Sequence, residues 1–266
     1  MATIDGIQIY KDPTICLCII NSFTPALKEC AKKRLVSVCH GSSRAELDGE
    51  FYTYNSTIKE FWERLKEKDP PKKMGMVAEF LTHVLILEIF KDFFPASVFF
   101  NLEERSVKKG FDLVFKNKAE IWITEIKSGL KNTTDTSNDR IKELISIAKR
   151  DIKEKLKEDR STLWQNAVNH VDIALVQSDE RKAIKSILMQ GKTAALAGTA
   201  QHQNHNVVLV AGLFANVSDL IQDTTIKMAA QAIRNENIFK KEIVIAFQKN
   251  TFETVVNFFE SEAQNA

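Results

Sequence analysis

Three charged residues stand among apolar neighbours in mid-chain. Asp112 lies in Gly110-Phe111-Asp112-Leu113-Val114-Phe115, and Glu125 and Lys127 lie in Ile121-Trp122-Ile123-Thr124-Glu125-Ile126-Lys127. The two stretches read as adjacent β-strands of a hairpin, with Lys116 to Glu120 as its turn. Side chains alternate along a strand, so Ile121, Ile123, Glu125 and Lys127 share one face and Trp122, Thr124 and Ile126 the other. A carboxylate and an ammonium on an apolar strand are costly to bury unless they meet a partner or a metal. Asp112 and Glu125 are 125 − 112 = 13 positions apart, a separation that one hairpin spans. That hairpin brings both carboxylates to the same end and face of a sheet. Such a pair offers the hard oxygen ligands that magnesium takes alongside waters and phosphate oxygens, and the backbone carbonyl of Ile126 is a further candidate ligand. Lys127 can orient an attacking water, favour its deprotonation or stabilise charge growing on a phosphate. The chemistry expected is metal-dependent hydrolysis of a phosphodiester. The plain alternative is a structural ion pair, which is weak support for stability because apolar residues serve as well.

The elements that must position these groups follow from the flanking pattern. A strongly apolar helix is expected from about Met74 to Phe93, with Glu79 and His83 four apart on one face. His83 reads as a packing or supporting residue, since magnesium prefers oxygen. Ala96 to Leu102 reads as a strand, and Lys131 to Asn138 as a polar, mobile loop. Asp139 is the candidate N-cap of a helix reaching about Lys157, with Ile141, Leu144, Ile145, Ala148, Ile152 and Leu156 as its apolar stripe. The charges on its other face read mostly as a solvated surface. Lys131, Arg140, Lys149 and Arg150 are candidates for DNA-backbone contacts, with ordinary surface charge an equal alternative. Thr162 to Gln190 reads as helical, and Asn206 to Leu213 as a β-branched strand buried on both faces. A helix at Asp219 to Glu236, a strand at Glu242 to Gln248 and a helix at Thr251 to Glu260 follow. Gly191-Lys192-Thr193 is not a phosphate loop, because Ser186 stands where that motif needs glycine. His202 and His205 read as a surface loop.

Before the Asp69-Pro70-Pro71 break, Ile15 to Ile20 and Leu35 to Cys39 read as strands around a helix at Pro25 to Lys33. The expected organisation is an N-terminal α/β region over 1–70 and a catalytic domain over 71–266, with an insertion near 161–203. At 44% hydrophobic and 27% charged, with 9 Gly and 5 Pro, the composition argues against wholesale disorder. A formal net charge of +2 does not mark the whole chain as a nucleic-acid binder, but a nuclease carries its positive charge locally. No signal peptide or membrane span is expected, and Cys16, Cys18, Cys30 and Cys39 read as reduced thiols of a cytoplasmic protein.

Glu79 on a helix, Gly110-Phe111-Asp112 on one strand and Glu125-Ile126-Lys127 on the next resemble the PD-(D/E)xK nuclease superfamily. Its members share an α-β-β-β-α-β restriction-endonuclease-like core and cut DNA with magnesium. The resemblance implies an α/β fold, a mixed central sheet flanked by helices. It implies Asp112 and Glu125 as metal ligands and Lys127 as the catalytic lysine. Glu79 is implied as the auxiliary carboxylate that some members use as a metal or water ligand, and manganese as able to substitute for magnesium. Two departures are Gly-Phe-Asp in place of Pro-Asp and the segment Ser161 to Gln203. More closely, Gly75-Met76-Val77-Ala78-Glu79-Phe80-Leu81, with Gly110-Phe111-Asp112 and Thr124-Glu125-Ile126-Lys127-Ser128-Gly129, is similar to HamA, the nuclease-subunit family of the Hachiman anti-phage defence system. That resemblance implies a DNA endonuclease partnered by a superfamily 2 DNA helicase (HamB-like), which restrains it until invading or damaged DNA is sensed. Two other readings stand beside it. One is a non-catalytic DNA-binding or assembly subunit of the same fold, and the other a restriction, repair or RNA nuclease outside the Hachiman system.

Overall fold

The computed structural model describes residues 4–100, 110–157 and 161–266. The elements are β1 (Ile7–Lys11), β2 (Ile15–Ile20), α1 (Pro25–His40), α2 (Ser42–Leu47), α3 (Tyr54–Lys66), α4 (Pro70–Ile89), β3 (Phe94–Pro95) and β4 (Leu113–Asn117). They continue as β5 (Glu120–Leu130), α5 (Ser137–Lys157), α6 (Ser161–Ala174), α7 (Ser178–Leu196), β6 (Asn206–Phe214), α8 (Asp223–Asn235), β7 (Lys241–Lys249) and α9 (Glu253–Asn265). One seven-stranded sheet runs β1-β2-β7-β6-β5-β4-β3. Pairing is parallel from β2 through β7 and β6 to β5 and antiparallel at both margins. This is the α/β class expected, a mixed central sheet flanked by helices. Among the described residues no helix is long and apolar enough to cross a membrane.

Strand alternation sorts the apolar residues into two cores. On one face Cys16, Cys18, Val208, Val210, Ile245, Phe247 and Trp122 pack with buried residues of α1, α3, α4 and α9. On the other Leu17, Ile19, Leu209, Ala211, Val244, Ala246, Ile121 and Ile123 pack with α5, α6, α7 and α8. The Val-rich β6 is buried at every position, as a central parallel strand requires. β2 sits between β1 and β7, and α1 and α3 share a core with α4 and α9, so the elements before and after Pro70 contribute to one sheet.

Several elements differ from expectation for identifiable reasons. Leu35 to Cys39 is not a strand: α1 is one helix, capped by Thr24, whose side chain accepts the Leu27 N–H. Leu27, Ala31, Leu35 and Val38 are all buried on it, and that helical stripe outweighs the β-preference of Val36 and Val38. The helix stops at Gly41, whose φ of 94° glycine tolerates and other residues rarely adopt. Pro70 and Pro71 open α4 at its first positions, with Asp69 capping the Lys72 N–H. Phe94 and Pro95 pair with β4, and the Ala96 N–H donates to the Val114 carbonyl. Of the expected strand over 96–102, Phe99 and Phe100 donate to Val38 and Cys39 carbonyls at the end of α1, and residues 101 and 102 lie outside the described residues. Asp139 is not the N-cap of α5. Thr136 takes that place, its Oγ1 accepting the Asp139 N–H, while Asp139 Oδ2 accepts from the threonine hydroxyl. The preceding polar loop is tethered, because the Lys131 ammonium and the Ser137 N–H both donate to Asp219 Oδ2.

Residues 161–196 form two helices, parted after Ala174, with the Arg181 guanidinium donating to the Val176 carbonyl. Gly191 faces Trp164 across them, and a Cβ at Gly191 would lie 2.6 Å from the indole ring. That glycine is a packing residue within α7. Gly191→Val is expected to lower the unfolding free energy by about 1–3 kcal/mol through overpacking. Urea denaturation checks this, and an unchanged midpoint would refute the tight contact.

Candidate active site

The β4–β5 hairpin turns at Lys118, which takes a positive φ of 53°, with Asn117 opposite Glu120 and Leu113 opposite Thr124. The β4–β5 ladder ends at Leu113 opposite Thr124, so extending the register by one residue sets Asp112 opposite Glu125. Asp112 Oδ2 accepts the Ile126 N–H at 2.8 Å, continuing the ladder with a carboxylate in place of a carbonyl. Glu125 is 0% exposed on the face it shares with Ile121 and Ile123. Lys127, two positions on, is partly exposed.

Two further charges arrive from α5. Ala148, Ile152 and Leu156 fix that helix in the core, and Asp151 and Lys155, four apart, flank the stripe on the side facing the hairpin. Lys155 Nζ is 2.5 Å from Glu125 Oε2 and 3.4 Å from Asp112 Oδ1. Lys127 Nζ is 2.8 Å from Glu125 Oε1 and 2.9 Å from Asp151 Oδ2. The Lys127–Glu125 approach is an ion pair by distance but lacks hydrogen-bond direction, which leaves Glu125 Oε1 buried without a directed donor.

The electrostatics follow from burial and crowding. Desolvation and the neighbouring Asp112 raise the Glu125 carboxyl above the ordinary value, against the pull of Lys155 and Lys127. For Lys127 burial opposes charge, but Glu125, Asp151 and Asp112 outweigh it and hold the ammonium above its usual value. Lys155 shows the same balance, with Asp112 and Glu125 overcoming burial. Asp151 is partly buried, yet its hydrogen bond and charge interaction with Lys127 lower its carboxyl.

Among the described residues no group of three or more His, Cys, Asp or Glu forms a metal cage. Magnesium does not require one, since it commonly takes one or two carboxylates and fills the remaining positions with water and phosphate oxygens. Asp112 and Glu125 supply that number, and both Glu125 oxygens already face a cation, Lys127 on Oε1 and Lys155 on Oε2. The donor set fits the ion.

The hairpin thus brings Asp112, Glu125, Ile126 and Lys127 together. Ile126 contributes its N–H to Asp112 and packs its side chain against the opposite core. Glu79 is half-buried on α4, whose apolar residues pack into the core on the other side of the sheet from Ile121 and Ile123. His83, fully buried, lies edge-on to Phe115 with ring centroids 5.5 Å apart. Lys131, Arg140, Lys149 and Arg150 each pair with a carboxylate, of Asp219, Glu143, Glu236 and Asp151 respectively. The expected surface loop at His202 and His205 is instead packed: His202 is buried, with Nδ1 2.5 Å from the Ile238 carbonyl oxygen. The His205 ring lies against Trp164, and burial depresses its pKa to about 4. Sequence reasoning passed over Asp151 and Lys155. The signal was present in their i, i+4 spacing beside the apolar stripe, where a helix meets its sheet.

A raised Glu125 pKa means that the folded chain holds this proton more firmly than the unfolded one. Stability from this group is present in acid and is lost as pH rises from the ordinary carboxylate range through the raised value. Glu125→Gln removes that contribution. The stability of the natural chain relative to the variant should therefore fall as pH rises above the ordinary carboxylate value of about 4. Urea titrations from that value upward read the difference, and a constant or widening advantage for the natural chain would contradict the raised pKa.

No curated protein matches the chain. The family model HamA matches residues 9–263, which takes in both margins of the sheet, the hairpin and α5. By that match over nearly its whole length, the chain belongs to the HamA family and to the context of Hachiman defence.

Proposed function

We propose that this chain is a magnesium-dependent DNA endonuclease, the effector subunit of a bacterial Hachiman defence complex, controlled in the cytoplasm by a partner DNA helicase. The observation that carries the reading is the apposition of Asp112 and Glu125 across one hairpin, with Lys127 on the same face as Glu125. The family membership supports the defence context.

In this reading Asp112 and Glu125 hold the metal, with the Ile126 carbonyl as a candidate third oxygen and Glu79 as a candidate auxiliary. Magnesium, when bound, supplies Lewis-acid polarisation of the scissile phosphodiester. The chain's own residues then have separate tasks. The Ile126 N–H fixes Asp112 through Oδ2 and leaves Oδ1 turned towards the cation position. Lys127 is held protonated by Glu125 and Asp151, which suits it to donate a hydrogen bond to a phosphate oxygen as charge grows there. An ammonium so stabilised is a poor base, so its contribution to water attack is orientation. Asp151 ties Lys127 to α5 and limits its rotamers.

The decisive assay is plasmid cleavage by the purified chain, alone and with a co-encoded helicase, in magnesium and in chelator. Glu125→Ala and Lys127→Ala are each expected to reduce cutting by about a hundredfold or more. Undiminished cutting by either variant would sink the assignment.

One feature favours a second reading, a non-catalytic assembly subunit: Lys155 and Lys127 already contact both Glu125 oxygens, as in a closed structural cluster. Metal-linked stability separates the two. A metal site gains about 2.7 kcal/mol at a hundredfold excess over Kd, a gain that Asp112→Asn should abolish. A scaffold gains none.

A further inference from the structure

The position between the two carboxylates is held by Lys155. Its ammonium touches Glu125 Oε2 and approaches Asp112 Oδ1, and among the described residues it is the cation that contacts both. Lys127 stands on the other Glu125 oxygen and reaches on to Asp151. The cluster therefore sets three carboxylates, Asp112, Glu125 and Asp151, against two ammonium groups and the Arg150 guanidinium, which pairs with Asp151. A divalent ion bound by Asp112 and Glu125 needs the oxygen lone pairs that Lys155 now occupies. Adding that ion while Lys155 stayed would leave the cluster net positive and press like charges into contact.

We propose that Lys155 is a positioning residue of the metal site, a resident counter-cation that keeps Asp112 and Glu125 apposed in the metal-free chain and that a divalent metal must displace. This deepens the nuclease reading and rests on it. The fold suits the exchange. Ile152 and Leu156 are fully buried on α5, so the helix backbone stays anchored while the lysine's four-carbon stem swings. Lys155 is itself partly exposed, which gives its ammonium a path to solvent. Glu125, by contrast, is buried on a central strand and has no such freedom. The lysine is the movable partner and the carboxylates are the fixed ones. A residue whose part was only structural would, on removal, loosen the carboxylates and weaken metal binding. A displaced counter-cation predicts the opposite sign.

Calorimetric titration of the full chain with magnesium chloride, repeated with manganese, tests this without reference to cleavage. Lys155→Met should bind the ion about tenfold more tightly than the natural chain, with a lower Tm in the absence of metal and a larger metal-induced rise. Lys155→Arg, which keeps the positive charge, should stay within about threefold of the natural chain. Equal or weaker binding by Lys155→Met, with Asp112→Asn still abolishing binding in both backgrounds, overturns the displacement while leaving the metal site standing. Absence of any Asp112-dependent binding in either protein overturns the nuclease reading and this inference with it. If Lys155→Met fails to fold, Lys155→Gln, which retains a neutral donor, is titrated against the same two outcomes.

Discussion

The arrangement depends on one buried carboxylate. Glu125 lies on β5 with neighbours on both sides in the sheet, and its side chain enters the core that α5 covers. A carboxylate there forfeits hydration worth several kcal/mol and needs compensating charge at close range. Lys127 supplies it from the same strand and Lys155 from the helix above, on different oxygens. Asp112 adds a second negative charge and so increases the demand. An apolar pair would fill the same space with less electrostatic strain. Retaining these charges against apolar packing makes sense where the charges have work to do.

Sheet topology makes this cluster possible. Because β5 pairs in parallel with β6 and antiparallel with β4, the hairpin places Asp112 beside Glu125, and the chain leaving β5 returns over the same face as α5. One strand thus fixes two of the charged groups, its partner a third, and the following helix the remaining two. The opposite face is mainly apolar, with the buried Lys249 ammonium satisfied by Thr251 and Thr254. There α1, α3, α4 and α9 enclose an aromatic core in which Phe61 stacks on Phe99 and packs against Phe80 and Phe259. The apolar face anchors the sheet, and the charged cluster occupies the other.

How much of this is legible in the sequence depends on the range of the interaction involved. β5 and β6 are plain because their apolar residues are largely β-branched or aromatic and run on with little interruption. The Asp112–Glu125 pairing is legible because hairpin register converts sequence separation into distance. Asp151 and Lys155 are not, because a surface charge and a site charge look alike until the rotation of α5 against β5 is known. Leu35 to Cys39 misleads because β-branched residues favour strands, whereas the buried stripe begun at Leu27 carries the helix through them. His202 and His205 sit in a polar stretch whose burial comes from Trp164 and Phe239, distant in sequence.

The neighbours of Lys127 restrict what it can contribute to the proposed reaction. A lysine acting as a base must lose its proton near neutral pH, which calls for apolar surroundings or a nearby cation. Lys127 has two carboxylates within 2.9 Å, and the net effect raises its pKa despite partial burial. Replacing Lys155 by a divalent cation would weaken the hold of Glu125 on Lys127 but would leave Asp151, which lies on α5 and bonds Lys127 directly. A proton carried through metal binding in this way points to charge stabilisation and orientation. In the proposed reaction Asp151 then has a reason to stand where an apolar helix residue would pack more easily: it would keep the Lys127 ammonium charged if the site around it changed occupancy.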